Sequence, residues 1–476
     1  MRPEADISDF PTSGEPVETL EDARALIATL QDQNAELQGE NAELKARITD
    51  LEGAVEALRR GNKRQSAPFS KGKPNDEPAR PGRKKGKAHG RHGHRMAPSK
   101  PDRTLDAPLP EHCPHCGEGV DFERFDDQYQ SELPEPRPVI TRFRVGVGRC
   151  RGCKARIQGR HPEQSSDALG AAGSQVGPRA KAWATWLHYG LGLSFGKCSQ
   201  LLARLGINVT AGAICSSSAT TGTDLVPTHQ AIKAHLSTAA AVTMDETGWR
   251  IGGEGAWLWV ASTEDVTVYD VARGRGFEQA SSLVPADFEG VIVRDGWVVY
   301  NRYDKARHQT CVAHLLRRCH EMIEDLPPWA RGTPRQVKEL LLEALEAREL
   351  DAWSRAAAVI DIGERLDLLF EDAQPHDANR RLVKHLAHER EALFTFLTTD
   401  GVDATNWRGE QGVRPAVVNR KVWGGNRSDA GAETQGRVMT FLRTAHQQGV
   451  DAIELLVDLA RAPTPGVVAG LTLRPG

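Results

Sequence analysis

Residues 239–262 read AAAVTMDETGWRIGGEGAWLWVAS, and residues 290–295 read GVIVRD. The first stretch is apolar up to an Asp-Glu-Thr sequence and continues into the alternating, aromatic-rich segment 256–262. A further strand-like segment follows at 266–271. Alternation of apolar and polar positions, rich in β-branched and aromatic residues, indicates β-strands. The chain is therefore predicted to contain a meander of three strands, followed by a fourth strand that ends in an aspartate.

This order of strands resembles the ribonuclease H-like fold. Asp245 and Asp295 each follow a buried apolar strand, where a carboxylate is costly unless it is paired or bound to a metal. If the two strands are neighbours, the carboxylates converge and repel, and a divalent cation relieves that repulsion. Each aspartate taken alone is equally well explained as a turn residue. Glu246 alternates to the other face of its strand, where we expect a structural role.

Residues 17–60 are predicted to form a dimerising coiled coil. Leucine recurs every seven residues from Leu30 to Leu58, and the position three residues before each leucine holds Ile, Val or Asn. β-Branched residues and Asn at position a, with Leu at position d, favour a parallel two-stranded coiled coil. A single amphipathic helix packed on the body of the protein is the alternative.

Residues 61–104 are predicted to be a disordered basic linker. Between Arg59 and Lys100 the chain carries 14 Lys or Arg residues and two acidic ones, although the net charge of the whole chain is −3. The stretch has no apolar face whose burial could offset the entropy of ordering. Since Lys and Arg replace condensed counterions on a phosphate backbone, we expect contact with nucleic acid. A purely solubilising linker is the alternative.

The overall composition excludes several classes of protein. With 476 residues, 39% hydrophobic and 26% charged, the chain is typical of about three globular domains and is not disordered throughout. No run of about 18 uncharged apolar residues predicts a membrane span. The first ten residues, MRPEADISDF, lack the basic and apolar regions of an export signal. We therefore expect a cytoplasmic, nucleoid-associated protein in which disulfides are rare.

Residues 105–165 contain two Cys-x-x-Cys pairs and are predicted to form a zinc ribbon. The four cysteines are Cys113, Cys116, Cys150 and Cys153. Each pair places two thiolates on a tight turn, and two such turns complete a tetrahedral Zn²⁺ site. The strand-like run 139–147 lies between the pairs. A redox pair is the alternative, and His112 and His115 are near enough to compete as ligands.

Residues 175–235 are predicted to form helices. Ser194 is expected to cap one helix and Thr210 a second, with Gly206 between them. Two short helices around a glycine-containing turn have the outline of a DNA-binding helix-turn-helix. The second helix offers few side chains that read bases, so a plain helical hairpin is the alternative.

These segments, taken in order, resemble the insertion-sequence-66 family of bacterial DDE transposases from about residue 20 to residue 461. The resemblance is carried by CPHCG and the second Cys-x-x-Cys pair, then by MDETGWR, VRDGWVVYNRY, CVAHLLRR and NWRGEQGVRPAVVNRK. It implies a ribonuclease H-like catalytic core at 236–430, which cuts and joins DNA with two Mg²⁺ (or Mn²⁺) ions. A helical insertion at about 305–400 is predicted within it, from helices over 335–347, 351–364 and 379–396. Helices and a tail would follow at 431–476, so that the chain is a multidomain α+β/α protein.

By this resemblance, the catalytic and metal-binding carboxylates are Asp245, Asp295 and Glu410. The residues around Glu410 depart from the family's pattern, because Gly409 stands where Ala is common and Gln411 stands where Arg is usual. Glu433 is therefore the alternative third carboxylate. One metal between the aspartates would activate water or a 3′-hydroxyl, and a second, shared with Glu410, would stabilise the leaving oxygen.

Further residues are candidates for positioning DNA. The Cys-x-x-His sequence formed by Cys311 and His314 resembles an element of such transposases, and we expect it to be structural or to position DNA. Candidate phosphate contacts are Arg317, Arg318, Arg420 and Lys421.

The leading prediction is a transposase that binds the terminal inverted repeats of its mobile element. Its partners would be double-stranded DNA, at element ends and target, and further copies of itself in a dimer or higher synaptic assembly. Element-encoded accessory proteins are also candidate partners. The alternatives are a catalytically inactive DNA-binding remnant or regulator, and a ribonuclease H-like nuclease that needs no specific end sequence.

Overall fold

The structure is a computed structural model that describes residues 97–372 and 374–473, together with seven helical positions between 28 and 39. Most of the predicted coiled coil, and the linker up to residue 96, lie outside the described residues. The chain divides into two compact units, Met1–Gln130 and Ser131–Gly476. No helix in the described part is both long enough and apolar enough to cross a lipid bilayer.

The first Cys-x-x-Cys pair folds as a tight turn in the first unit. The Gly117 amide donates to the Cys113 carbonyl at 2.9 Å, and the Cys113 amide donates to the Glu118 carbonyl at 2.7 Å. An isolated β-bridge between His112 and Gly119 closes the turn. Gly117 has φ +80°, a backbone conformation that favours glycine. The turn therefore brings the two cysteines together by local backbone geometry.

The second pair lies in a small antiparallel hairpin of the second unit. Strands β1 (Val147–Arg149) and β2 (Arg156–Gln158) flank it, and the Cys150 amide donates to the Ala155 carbonyl at 2.9 Å. The strand expected over 139–147 is wrong, because β1 begins only at its last residue. The preceding Val139 is 94% exposed and Ile140 is 89% exposed. These side chains have no surface to pack on that would hold them extended in a sheet.

Between residue 97 and the large sheet, the structure describes four helices. They are α1 (Pro178–Thr185), α2 (Phe195–Arg204), α3 (Ala211–Asp224) and α4 (Val226–Ser237), with a 3₁₀ turn at Gly170–Gly173 and a π-helical turn at Trp186–Gly190. The two predicted caps are confirmed. Ser194 accepts a hydrogen bond from the Lys197 amide at 3.4 Å, and Thr210 accepts one from the Ala213 amide at 3.2 Å. Gly206, at φ +82°, lies between α2 and α3.

A five-stranded mixed sheet forms the centre of the second unit. Its strands are β3 (Ala241–Ile251), β4 (Glu254–Ser262), β5 (Thr267–Ala272), β6 (Val291–Arg294) and β7 (Arg307–Thr310), in the order β5-β4-β3-β6-β7. The first three form an antiparallel meander, and β6 and β7 run parallel to β3. Gly252 and Gly253, both at positive φ, form the two-residue turn between β3 and β4. The predicted meander and fourth strand are therefore confirmed.

Helices fill the rest of the chain. After α5 (Phe277–Leu283) and β7 come α6 (Val312–Asp325), α7 (Gly332–Ala347), α8 (Ala352–Glu371), α9 (Asp377–His388) and α10 (Thr395–Thr398). The last helices are α11 (Trp407–Trp423), α12 (Asp429–Gln447) and α13 (Ala452–Arg461). Short 3₁₀ turns lie at Val298–Arg302, Pro328–Ala330 and Arg390–Ala392. The helix expected over 379–396 ends at His388, and Glu389, which follows it, forms a buried ion pair with Arg294.

Both faces of the sheet are buried. On β4, Leu258 and Val260 face one core cluster, which includes side chains of α11, α12 and α13. Trp259 and Ala261 face the other, which includes side chains of α4 and α5. This alternation follows from the two-residue period of a strand. A further cluster, formed by α6 to α10, packs against Val291 and Val293 of β6. The sheet is thus a rigid support for the residues that it carries.

Candidate functional site

Asp245 lies on β3, and Asp295 directly follows the neighbouring parallel strand β6. Asp245 lies within β3 rather than at its end, because β3 stays paired with β4 as far as Ile251. The parallel pairing of β3 with β6 ends at Thr243 and Val293, and Asp245 and Asp295 each follow two residues later. Two residues along a strand restore the same face, and neighbouring strands lie about 4.8 Å apart. The register therefore places Asp245 and Asp295 at neighbouring positions, and their convergence on a shared metal stays a prediction.

The surroundings of Asp245 concentrate negative charge. Burial raises the pKa of Asp245 to about 7, and the charges of Glu246 and Asp295 raise it as well. The Glu246 amide opposes this effect by donating a hydrogen bond to Asp245 Oδ1 at 2.8 Å. The ionised form of Asp245 is therefore disfavoured by burial and by the neighbouring negative charges. A bound cation would stabilise the ionised form.

A chain of contacts links the Asp295 turn back to β3. The Trp297 amide donates to Asp295 Oδ1 at 2.9 Å. The Trp297 ring lies 3.8 Å from the Arg275 guanidinium, which also stacks on Trp257 at 4.3 Å. Arg275 Nε in turn donates to Glu246 Oε1 at 2.9 Å, next to Asp245. The sequence pattern gave no reason to select Arg275, because its partners come from three separate segments.

Glu246 is a buried structural anion. Its side chain is 2% exposed and is held by Arg275 and by the Tyr300 hydroxyl, which donates to Glu246 Oε2. The structural role expected for Glu246 agrees with these contacts. Because Glu246 is already paired, it is not free to act as the third carboxylate.

Glu410 lies in the first turn of α11, whose backbone packs against Asp245. A methyl group built on Gly409 would lie 3.0 Å from Asp245 Cβ and 2.3 Å from Asn406 Oδ1. Asn406 Nδ2 donates to the Met244 carbonyl at 3.2 Å, and this bond ties the start of the helix to β3. The glycine that departs from the family pattern thus permits a close approach of helix and strand.

The Glu410 carboxylate faces α6. His314 Nε2 lies 3.7 Å from Glu410 Oε1, and Arg317 Nη2 lies 3.9 Å from the same oxygen. The pKa of His314 is raised, chiefly by the adjacent Cys311 side chain, and the charge of Glu410 adds to this effect. His314 also lies close enough to lower the pKa of Asp245. His314 therefore interacts electrostatically with both Asp245 and Glu410.

The alternative acid, Glu433, lies elsewhere. It pairs with Arg437 on the exposed side of α12. Gly436, one turn along the same helix, packs against the Tyr269 carbonyl of β5. Strand β5 is separated from β3 by β4. Of the two glutamates, Glu410 is the one that the fold places on the helix beside Asp245.

The donor chemistry around Asp245 fits a divalent cation. Carboxylate and amide oxygens are the ligands that Mg²⁺ prefers in proteins. Asn406 Oδ1 is buried without a hydrogen-bond partner and lies at the same helix–strand contact as Asp245. Among the described residues, however, no three His, Cys, Asp or Glu side chains are close enough to bind one ion together. The register places the two aspartates at neighbouring positions, whereas the Glu410 carboxylate lies 3.7 Å from His314 Nε2.

The cysteine turns have the electronic character of metal ligands. The amides of His115 and Cys116 lower the pKa of Cys113. The amides of Cys153 and Gly152 lower the pKa of Cys150 in the same way. A lowered pKa favours the thiolate, which is the form that binds zinc. The two turns belong to different compact units, and each by itself supplies two thiols.

Two arginines have roles that sequence inspection did not reveal. Arg420, a candidate phosphate contact, instead binds the Gly248 carbonyl and Thr247 Oγ1 on β3, whereas Lys421 is exposed. Arg294, directly before Asp295, forms a buried ion pair with Glu389, with 2.8 Å between Nη1 and Oε2. Nothing in the sequence around Glu389 distinguishes it from other helical glutamates.

Comparison with known proteins identifies the family. A family model described as "Transposase IS66 family" matches residues 173–434, more than half of the chain. An uncharacterized protein, y4qI of Sinorhizobium fredii, is 27% identical over 231 residues. That match covers 42% of this chain and 42% of the relative, so the chain spans less than half the length of that protein. On the evidence of the family match, the chain belongs to the IS66 transposase family.

Proposed function

We propose that this protein is a transposase that cleaves and transfers the DNA strands at the ends of its mobile element. The observation that carries the proposal is that Asp295 directly follows β6, the parallel neighbour of the strand that bears Asp245, and that the helix bearing Glu410 packs against Asp245. Membership of a transposase family supports it. So does the strand order, with a three-stranded meander extended by two parallel strands, which resembles the ribonuclease H-like core.

The catalytic roles follow from the carboxylates. Asp245 and Asp295 would together bind one divalent cation. Glu410 would help to bind a second divalent cation. When bound, Mg²⁺ or Mn²⁺ supplies activation of the attacking hydroxyl and charge stabilisation of the leaving oxygen. Asn406 ties α11 to β3 and so sets the distance of Glu410 from the aspartates. Arg275 and Trp297 keep the Asp295 turn in place against β3.

The remaining modules are proposed to hold DNA and assemble the protein. The two cysteine turns would bind Zn²⁺, the helices α2 and α3 would contact the inverted repeats, and the basic linker would contact phosphates. The predicted coiled coil would pair two copies at the element ends. Each of these roles comes from the sequence, and each requires its own test.

Cleavage of DNA that carries the element ends tests the catalytic proposal. Asp245→Asn and Asp295→Asn should each abolish Mg²⁺-dependent strand cleavage and leave binding to the same DNA unchanged. Asp287→Asn is the matched control, because Asp287 is an exposed aspartate in the loop before β6. Cleavage by Asp245→Asn at the wild-type rate would refute the assignment.

Two other outcomes distinguish the alternatives. If the wild-type protein binds the ends but never nicks them with Mg²⁺ or Mn²⁺, it is a DNA-binding remnant or regulator. The proximity of the Glu410 carboxylate to His314 and Arg317, rather than to a metal-binding group of three side chains, is the observation that favours this second candidate. If cleavage is equal on element ends and on random duplexes, the protein is a nuclease without end specificity.

A further inference from the structure

Arg318, on α6, is a half-buried cation without a partner. It makes no hydrogen bond or ion pair with any residue that the structure describes. Three other partly buried arginines around the site are paired with acids: Arg275 with Glu246, Arg294 with Glu389, and Arg408 with Asp403. Arg420 donates instead to the Gly248 carbonyl. A desolvated charge without a counter-ion is costly, so its position calls for an anion that the chain itself does not supply.

The residues near Arg318 add positive charge rather than compensate it. Burial lowers the pKa of Arg318, and the positive charge of Arg381 lowers it further. Arg381 is exposed and likewise has no ion pair with the described residues. The next neighbour, His385, has its pKa lowered by burial and then by Arg318. The nearby acid, Glu389, is already bound to Arg294.

This cluster lies beside the catalytic aspartate. A methyl group built on Gly296 would lie 3.0 Å from His385 Cε1, so the histidine ring packs against the residue that follows Asp295. The residue before Arg318 on α6, Arg317, reaches towards Glu410. Helix α6 therefore carries two consecutive arginines, of which Arg317 lies near Glu410 and Arg318 lies near His385.

We propose that Arg318, together with Arg381, binds a backbone phosphate of the DNA next to the scissile position. This inference rests on the proposed function, because it assumes DNA in the site. A guanidinium donates two parallel hydrogen bonds to phosphate oxygens and is the side chain best suited to a partly desolvated phosphate. The contact is independent of base identity, and it holds the strand in register with Asp295.

The salt dependence of DNA binding tests this site. The probe is a short fluorescent duplex of arbitrary sequence, titrated at several salt concentrations in buffer without added Mg²⁺ or Mn²⁺ and without a chelator. Loss of one phosphate contact reduces the slope of log affinity against log salt by about 0.9. Arg318→Gln should show that reduction and bind more weakly on every sequence. Arg335→Gln, which removes an exposed arginine from the neighbouring helix α7, should keep the wild-type slope.

Thermal unfolding without DNA separates a ligand-binding role from a structural one. Arg318→Gln removes an unpaired, half-buried charge, so its melting temperature should equal or exceed that of the wild type. An unchanged salt slope, or a melting temperature clearly below that of the wild type, would overturn the proposal. Since binding is measured without added Mg²⁺ or Mn²⁺, a wild-type protein that never cleaves DNA can still show the slope change. The two proposals can therefore fail separately.

Discussion

The ion pair between Arg294 and Glu389 allows a quantitative prediction for Glu389→Ala. The two side chains are 4% and 2% exposed, and Glu389 also accepts a hydrogen bond from Thr310. Removal of one partner of a buried pair leaves the other charge uncompensated, which costs about 3–5 kcal/mol of unfolding free energy. Because Arg294 precedes Asp295 directly, we expect metal-dependent activity to fall together with stability.

Urea denaturation at neutral pH, followed by tryptophan fluorescence, measures this loss. The matched control is Glu343→Ala, which breaks an ion pair with Arg365 in which the two side chains are 47% and 45% exposed. An exposed pair contributes about 0–1 kcal/mol, so the control should scarcely move the midpoint. Equal effects of the two substitutions would refute the reasoning.

The pH dependence provides a second check on the same pair. Burial opposes ionisation of Glu389, but Arg294 and Thr310 lower its pKa below the ordinary value of 4.5. A lowered folded-state pKa means that the carboxylate's contribution is complete above pH 4.5 and is lost as the pH falls through the folded-state pKa. The difference between wild type and Glu389→Ala should therefore shrink in acid, and a constant difference would contradict the ion-pair explanation.

Three further predictions concern separate parts of the chain. Arg275→Lys keeps the charge but loses the planar stacking on two tryptophans, so Mn²⁺ affinity measured by calorimetry should fall while DNA binding in EDTA stays unchanged. Burial lowers the pKa of His188 from 6.5 to about 4, so the unfolding free energy of the wild type should decrease by up to about 3 kcal/mol from pH 6.5 to pH 4. In urea titrations, His188→Phe should remove most of this pH dependence. Purified protein should contain one Zn²⁺ per chain by elemental analysis, and Cys150→Ser should lose it; a metal-free wild type would contradict the zinc prediction.

Local features of the fold were predictable because they depend on neighbouring residues. Ser194 and Thr210 cap their helices through side chains that reach only three residues ahead. The meander of β3 to β5 follows from alternating side chains and a Gly-Gly turn. Where burial was absent, the same reasoning failed, as for the strand expected at 139–147. Local propensity alone does not make a strand without a surface to pack on.

The candidate site shows the same difference between what neighbouring residues predict and what only the folded chain decides. Asp245 and Asp295 could be named from their apolar strands and from the family resemblance, since both signals lie within a few residues. That they are adjacent depends on the parallel register of β3 and β6, which joins segments about fifty residues apart. The partners of Glu246, Arg294 and Glu410 come from still more distant segments, and no sequence pattern pairs them. Burial and charge pairing are properties of the packed chain, so they became visible only once the sheet and helices were assembled.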